Sequence, residues 1–239
     1  MASITLKAQS LYDTRTWSVT AKVGPTQFYG DLSEGLAVLS PVSFFKAQGF
    51  ELGLGINKHL NRTFTIKGDI DFASIKASRK QWYNARFSSK ILQTSLVVGV
   101  DMMHIFYPDV NVRRQKLFVE PYVGFGLIGF KSTVNDIDTQ RYLRSTDFLI
   151  KKVIPIGLCF RQDITPSTSV GLDFRMNTVF SDVLDGTIGG VLEERYLKGL
   201  INDDVSLKKN SAKDRWSSLT LCYTYKIGGN GRKNARTFK

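Results

Sequence analysis

Eight stretches of this chain alternate apolar and polar residues with a period of two, and no other feature restricts its fold as strongly. A β-strand sends successive side chains to opposite faces, so a strict alternation describes a strand with one apolar and one polar face. Trp17, Val19, Ala21 and Val23 share one parity against Thr20 and Lys22. Phe50 to Ile56 alternate with Glu51, Gly53 and Gly55, and Phe64 to Phe72 with Lys67, Asp69 and Asp71. Leu96 to Met102 oppose Gly99 and Asp101, while Val119 to Leu127 oppose Glu120, Tyr122 and Gly124. Ile154 to Phe160 oppose Cys159 and Arg161, Val170 to Met176 oppose Asp173 and Arg175, and Leu219 to Tyr225 oppose Thr220 and Cys222. No convincing helix accompanies them, which is an all-β signature.

The links between these strands alternate in length. Short ones, "NKHLNR", "YPDVNVRR" and "DITPST", follow the second, fourth and sixth strands. Long ones run from Pro25 to Ala47, Ser74 to Lys90, Lys131 to Lys151 and Ser181 to Arg215. An eight-stranded antiparallel up-and-down transmembrane β-barrel has this rhythm, with short periplasmic turns, long extracellular loops and both termini in the periplasm. Strands of about ten residues also match a tilted bilayer crossing. A soluble lipocalin-like barrel has eight alternating strands too, with the faces reversed, and period two alone does not say which face is inside.

In the transmembrane version the polar parity points into the lumen. Lys22, Glu51, Lys67, Asp69, Asp71, Asp101, Glu120, Arg161, Asp173 and Arg175 then form a lumen charge network of mixed sign. Buried charges need partners, and the interior of an eight-stranded barrel is narrow enough for side chains to fill. The expectation is a plugged lumen and no open pore, with glycines leaving room for the larger groups. Trp17, Phe72, Phe106, Phe130, Phe180, Trp216 and Tyr225 near strand ends are expected as interfacial girdles.

Composition narrows the remaining possibilities. The 239 residues carry a formal charge of +12, spread over several loops and the last dozen residues, so no basic helix stands out. Aromatics amount to 12% but fall at strand positions, without the clustered Gly and Phe of a base-stacking motif, and nucleic acid is not an expected partner. Cys159 and Cys222 form no CxxC and read as small buried residues. Residues 1–9 read as the remnant of a secretory signal, 10–227 as a single outer-membrane barrel domain, and 228–239 as a basic flexible tail in the periplasm. Arg232, Lys233, Arg236 and Lys239 of that tail suit an acidic periplasmic partner. The basic stretch "KASRKQWYNARFSSK" faces outward in this scheme, where lipid phosphates are natural contacts.

The residues for chemistry are sparse. His59 and His104 lack a second histidine at ligand spacing, so no zinc site is expected. Both fall toward the periplasmic end, the wrong side for a Ser/His/Asp hydrolase acting on outer-leaflet lipid. "GFGLIG" at Gly124 to Gly129 has no following helix and no later acidic residue, both of which a dinucleotide fingerprint needs. Asp182 and Asp185 lack the twelve-residue pattern of an EF-hand and read as turn residues where a strand leaves the membrane. No cofactor, no metal and no enzymatic activity are expected.

Four segments, "WSVTAKVGPTQFYGDLSE", "FVEPYVGFGLIGF", "GLDFRMNTVFSDVLDG" and "DRWSSLTLCYTYKI", carry a family pattern. In order they resemble the outer-membrane β-barrel family of Bacteroidota that includes the PorG-type component of the type IX secretion system. The matching residues are Tyr29, Gly30, Asp31 and Leu32 after the first strand, and Pro121, Tyr122, Gly124 and Gly126 in the fifth. Gly171, Leu172, Asp173, Ser181, Asp182, Leu184 and Asp185 match the seventh strand and its exit, with departures at Asn177, Val183 and Gly186. The resemblance implies a non-enzymatic barrel in the outer membrane that docks onto a periplasmic ring containing a lipoprotein. Two alternatives remain beside it: an OmpA-like barrel that stabilises the envelope or binds surface ligands through its loops, and a lipid-modifying enzyme.

Overall fold

The computed structural model describes residues 17–29, 49–61, 63–79, 85–106, 117–136, 142–145, 147–180 and 214–227. Its strands are β1 (Trp17–Tyr29), β2 (Gly49–His59), β3 (Phe64–Arg79), β4 (Ala85–Val100), β5 (Leu117–Asp136), β6 (Tyr142–Ser145), β7 (Leu149–Asp163), β8 (Thr168–Val179) and β9 (Arg215–Ile227). Every neighbouring pair is antiparallel, in the order β4-β3-β2-β1-β9-β8-β7-β5-β6. A further pairing of β4 with β5 closes the sheet into a barrel of eight strands, leaving β6 as a short flap on the outer end of β5. Closure leaves no sheet edge exposed to lipid, the condition for crossing a bilayer with strands.

The faces decide between the two barrel types. Leu54, Ile70, Phe125, Ile156 and Leu172 are exposed by half or more, while Glu51, Asp71, Asp173 and Arg175 on the opposite parity are buried. Apolar residues outside and charged residues inside invert the order of a soluble domain and overturn the lipocalin-like alternative. The apolar belt has to be covered by hydrocarbon, and a closed barrel with short turns at one end is the outer-membrane type of transmembrane protein. Among the described residues no helix is long and apolar enough to cross a membrane.

The short links are built by local hydrogen bonds. In the link from β2 to β3, Asn61 Oδ1 accepts from the backbone N–H groups of Thr63 (2.8 Å) and Phe64 (2.6 Å), an Asx turn. Thr165 serves the β7 to β8 link in the same way, accepting from Ser167 N and Thr168 N.

Three expectations need correction. The stretches from Ser74 to Lys90 and from Lys131 to Lys151 are largely strand: β3 and β4 are each 16 residues long and pair as far as Arg79 and Ala85, and β5 continues to Asp136 before β6 and the start of β7 at Leu149. The alternation persists there but its chemistry reverses, with Ala73, Ile75 and Ile91 now inward and Lys76 and Lys90 outward. For the same reason Phe130 and Trp216, expected in a girdle, are fully buried inside the barrel, whereas Trp17, Phe72, Phe106, Phe180 and Tyr225 are exposed as a girdle requires. The fourth strand also ends sooner than expected: Met102 falls in a short helix α1 (Met102–Phe106) within the link to β5, and the all-β architecture stands.

Candidate functional site: the lumen network and its outer seal

Arg175 on β8 reaches across the lumen to β3. Its Nη1 donates to Asp71 Oδ2 and its Nη2 to Asp69 Oδ2, the fork geometry that suits guanidinium to paired carboxylate oxygens. Its Nε donates to Tyr122 Oη at 3.1 Å, and Tyr122 Oη donates to Asp173 Oδ1 at 2.7 Å. Lys22 on β1 closes the cluster from the other side, 3.0 Å from Asp69 and 3.0 Å from Asp71. Five of the expected charges therefore meet in one knot, with Tyr122 from β5 as its uncharged hinge. A second pair, Lys67 and Glu120, lies at 2.9 Å beside the same tyrosine ring.

Glycine is required where the knot presses on the wall. A Cβ at Gly53 would collide with Asp71 Oδ1 and come within 2.9 Å of Lys22 Cε, and one at Gly99 would meet the Glu120 carboxylate. These two glycines leave the room that the charged groups occupy.

Three expected members stand apart. Arg161 lies over the Phe118 ring, 5.0 Å from its centroid, and its Nε has no hydrogen-bond partner among the described residues. Asp101 sits at the end of β4, where Oδ1 accepts from Met103 N at 3.0 Å and caps α1. Glu51 is completely buried, with the Ser218 hydroxyl beside it and the Asp71 carboxylate near enough to repel it. At the periplasmic end Lys226 pairs with Asp163, and His59 Nδ1 shares a 3.0 Å hydrogen bond with Thr65 Oγ1. His104 belongs to α1, in the link from β4 to β5, so both histidines lie at the periplasmic end.

Above the knot, Gln93 Nε2 donates to Asn177 Oδ1 at 2.9 Å across the lumen. Beyond this rung the inward face turns mostly apolar, the buried hydroxyl pair Ser132 Oγ to Ser89 Oγ (3.0 Å) being a polar exception. Register sets Ala73, Ile91 and Phe130 side by side on β3, β4 and β5, Phe28 beside Trp216, and Val153 beside Val179, all of them buried. Sequence reasoning missed this layer because it ended the strands too early; a trace of it lies in the unbroken parity of Ile91, Ile128 and Phe130. Below the knot a cavity of about 20 Å³ remains, lined by Thr20, Asn57, Lys67, Cys159 and Cys222 among others. That is room for about one water. Both cysteines are buried and free. The lumen thus has two seals in series, one polar and one apolar.

Among the described residues no group of His, Cys, Asp and Glu could hold a metal ion. Asp182, Asp185 and the tail residues Arg232, Lys233, Arg236 and Lys239 lie outside the described residues.

No family model and no curated protein matches the chain. Among solved structures it is similar to Neisserial surface protein A, at 13% identity and a TM-score of 0.47, covering 88% of this chain and 97% of that one. It is similar to the attachment invasion locus protein Ail of Yersinia pestis, at 8% identity and a TM-score of 0.45, covering 88% and 99%. A major outer membrane protein from Thermus thermophilus gives 13% identity and a TM-score of 0.49, covering 89% and 99%.

Proposed function

We propose that this chain is a non-enzymatic outer-membrane barrel that anchors or docks a periplasmic assembly, as part of a type IX protein secretion machinery. The observation that carries the reading is the filled lumen: a barrel sealed twice offers surfaces rather than a passage. The resemblance to the PorG-type family names the assembly, a periplasmic protein or lipoprotein ring, and the basic tail with Arg232, Lys233, Arg236 and Lys239 supplies charge that an acidic partner would meet. Gentle solubilisation of the membrane followed by purification of the full chain is the test. Recovery of a periplasmic protein in near-equal amount, lost when the four tail residues are changed to Ala, is the expected result. A barrel recovered alone, from cells whose secretion is intact without it, would count decisively against docking.

A second reading, an OmpA-like barrel that stabilises the envelope or binds ligands outside, is favoured by the outward extension of β3, β4 and β5 and the flap β6. Envelope sensitivity without a secretion defect in the deletion strain would select it.

A further inference from the structure

We propose that the outer edge of the apolar belt on β3, β4 and β5 is a binding site for the phosphate of a membrane-embedded anionic lipid. Outward-facing residues there change character from one rung to the next. Phe72, Leu92 and Gly129 occupy one rung. Phe72 and Leu92 are exposed, and the gap at Gly129 is filled by the ring of the exposed Phe148, which a Cβ at that position would strike. The next rung outward is Ser74, Lys90 and Lys131, and the one after it Lys76, Ser88 and Thr133.

The result is a plaque of three ammonium groups and three hydroxyls directly above an apolar floor. Lys90 and Lys131 are direct cross-strand partners, and Lys76 stands diagonal to Lys90. Like charges placed opposite one another destabilise a ladder. Among the described residues none of the three lysines has an ion pair, so nothing in the described part of the fold relieves that repulsion. An anion between them would relieve it, and hydroxyls at Ser74, Ser88 and Thr133 add donors for its oxygens.

The floor selects the source of that anion. Acyl chains lie on Phe72, Leu92 and Phe148 while the phosphate reaches the ammonium rung, so a lipid satisfies both layers at once and a dissolved phosphate only one. Lysine stems lying along apolar surface with the charged ends lifted toward the headgroups fit the same arrangement. The site is independent of the docking reading, because it lies on the outward-facing surface at the opposite end from the periplasmic turns.

The full chain is refolded into phosphatidylcholine nanodiscs carrying diphosphoryl lipid A, and lipid retained after detergent exchange is measured by native mass spectrometry. Dephosphorylated lipid A serves as the control lipid and Lys152→Gln as the control variant. Each of Lys76→Gln, Lys90→Gln and Lys131→Gln is expected to lower retention roughly fivefold, in line with the attraction of a basic residue near an anionic membrane surface. The triple variant is expected to retain no more than the dephosphorylated control. Equal retention by wild type and the three single variants would overturn the site. Displacement by equimolar inorganic phosphate would overturn the lipid assignment. The single variants keep the test decisive even if the triple variant fails to give the heat-modifiable folded band.

Discussion

Arg175 and Glu51 are both buried in the lumen, and their surroundings predict opposite responses to substitution. Arg175 is held by Asp69, Asp71, Tyr122 and Asp173. Arg175→Leu leaves three carboxylates sharing Lys22, and removing one side of a buried ionic cluster costs about 3–5 kcal/mol. Glu51 has the Ser218 hydroxyl beside it and is repelled by Asp71, so Glu51→Gln relieves a like-charge contact that Arg175 and Lys22, already engaged by Asp69 and Asp71, only partly offset. Urea unfolding in detergent micelles, followed by the loss of the compact gel band, compares the two. The Arg175 variant is expected to unfold at much lower urea, and the Glu51 variant at an equal or higher concentration than wild type. A midpoint for Glu51→Gln as low as that of Arg175→Leu would show that the Glu51 charge supports the network as much as Arg175 does.

On the scale of the strand, stability rests on which face meets lipid. Leu172 lies outward near the middle of β8, between Phe160 of β7 and Leu221 of β9, and is exposed. Leu172→Arg is expected to cost about 2–4 kcal/mol, the range for a basic residue at the bilayer midplane of a barrel. Leu60→Arg, in the turn after β2, should change the unfolding midpoint in lipid vesicles very little. Equal effects at the two positions would remove the assignment of the belt. The faces of the strands were legible in the sequence because each carries its own period-two pattern. The strand ends were not, since at the outer end the inward side changes from Glu51, Asp71 and Gln93 to Ala73, Ile91 and Phe130. The network was legible only as a list of charges. Parity puts Lys22, Asp69 and Arg175 inside, but their pairing depends on contacts across the lumen between strands far apart in sequence, and it left out Tyr122 as the link between Arg175 and Asp173.

For the whole molecule the two seals make conductance a test of the fold as a unit. The polar knot around Arg175 excludes ions by filling the lumen with fixed and paired charges, and the layer with Ile91, Phe130 and Trp216 excludes them by offering few groups to replace water, since the Ser132 and Ser89 hydroxyls beside it bond to each other. In planar lipid bilayers the wild-type barrel is expected to give no stepwise current. Lys22→Ala alone, which thins the knot, should remain silent because the apolar layer stands above it. Phe130→Ser with Trp216→Ser should also remain silent, because the knot stands below. All three changes together open a polar route from one end of the lumen to the other, and only that variant should conduct. Current through the wild type would refute the closed lumen. Current through either partial variant would show that one layer alone carries the barrier, and a silent triple variant that still gives the folded gel band would place the barrier outside both layers.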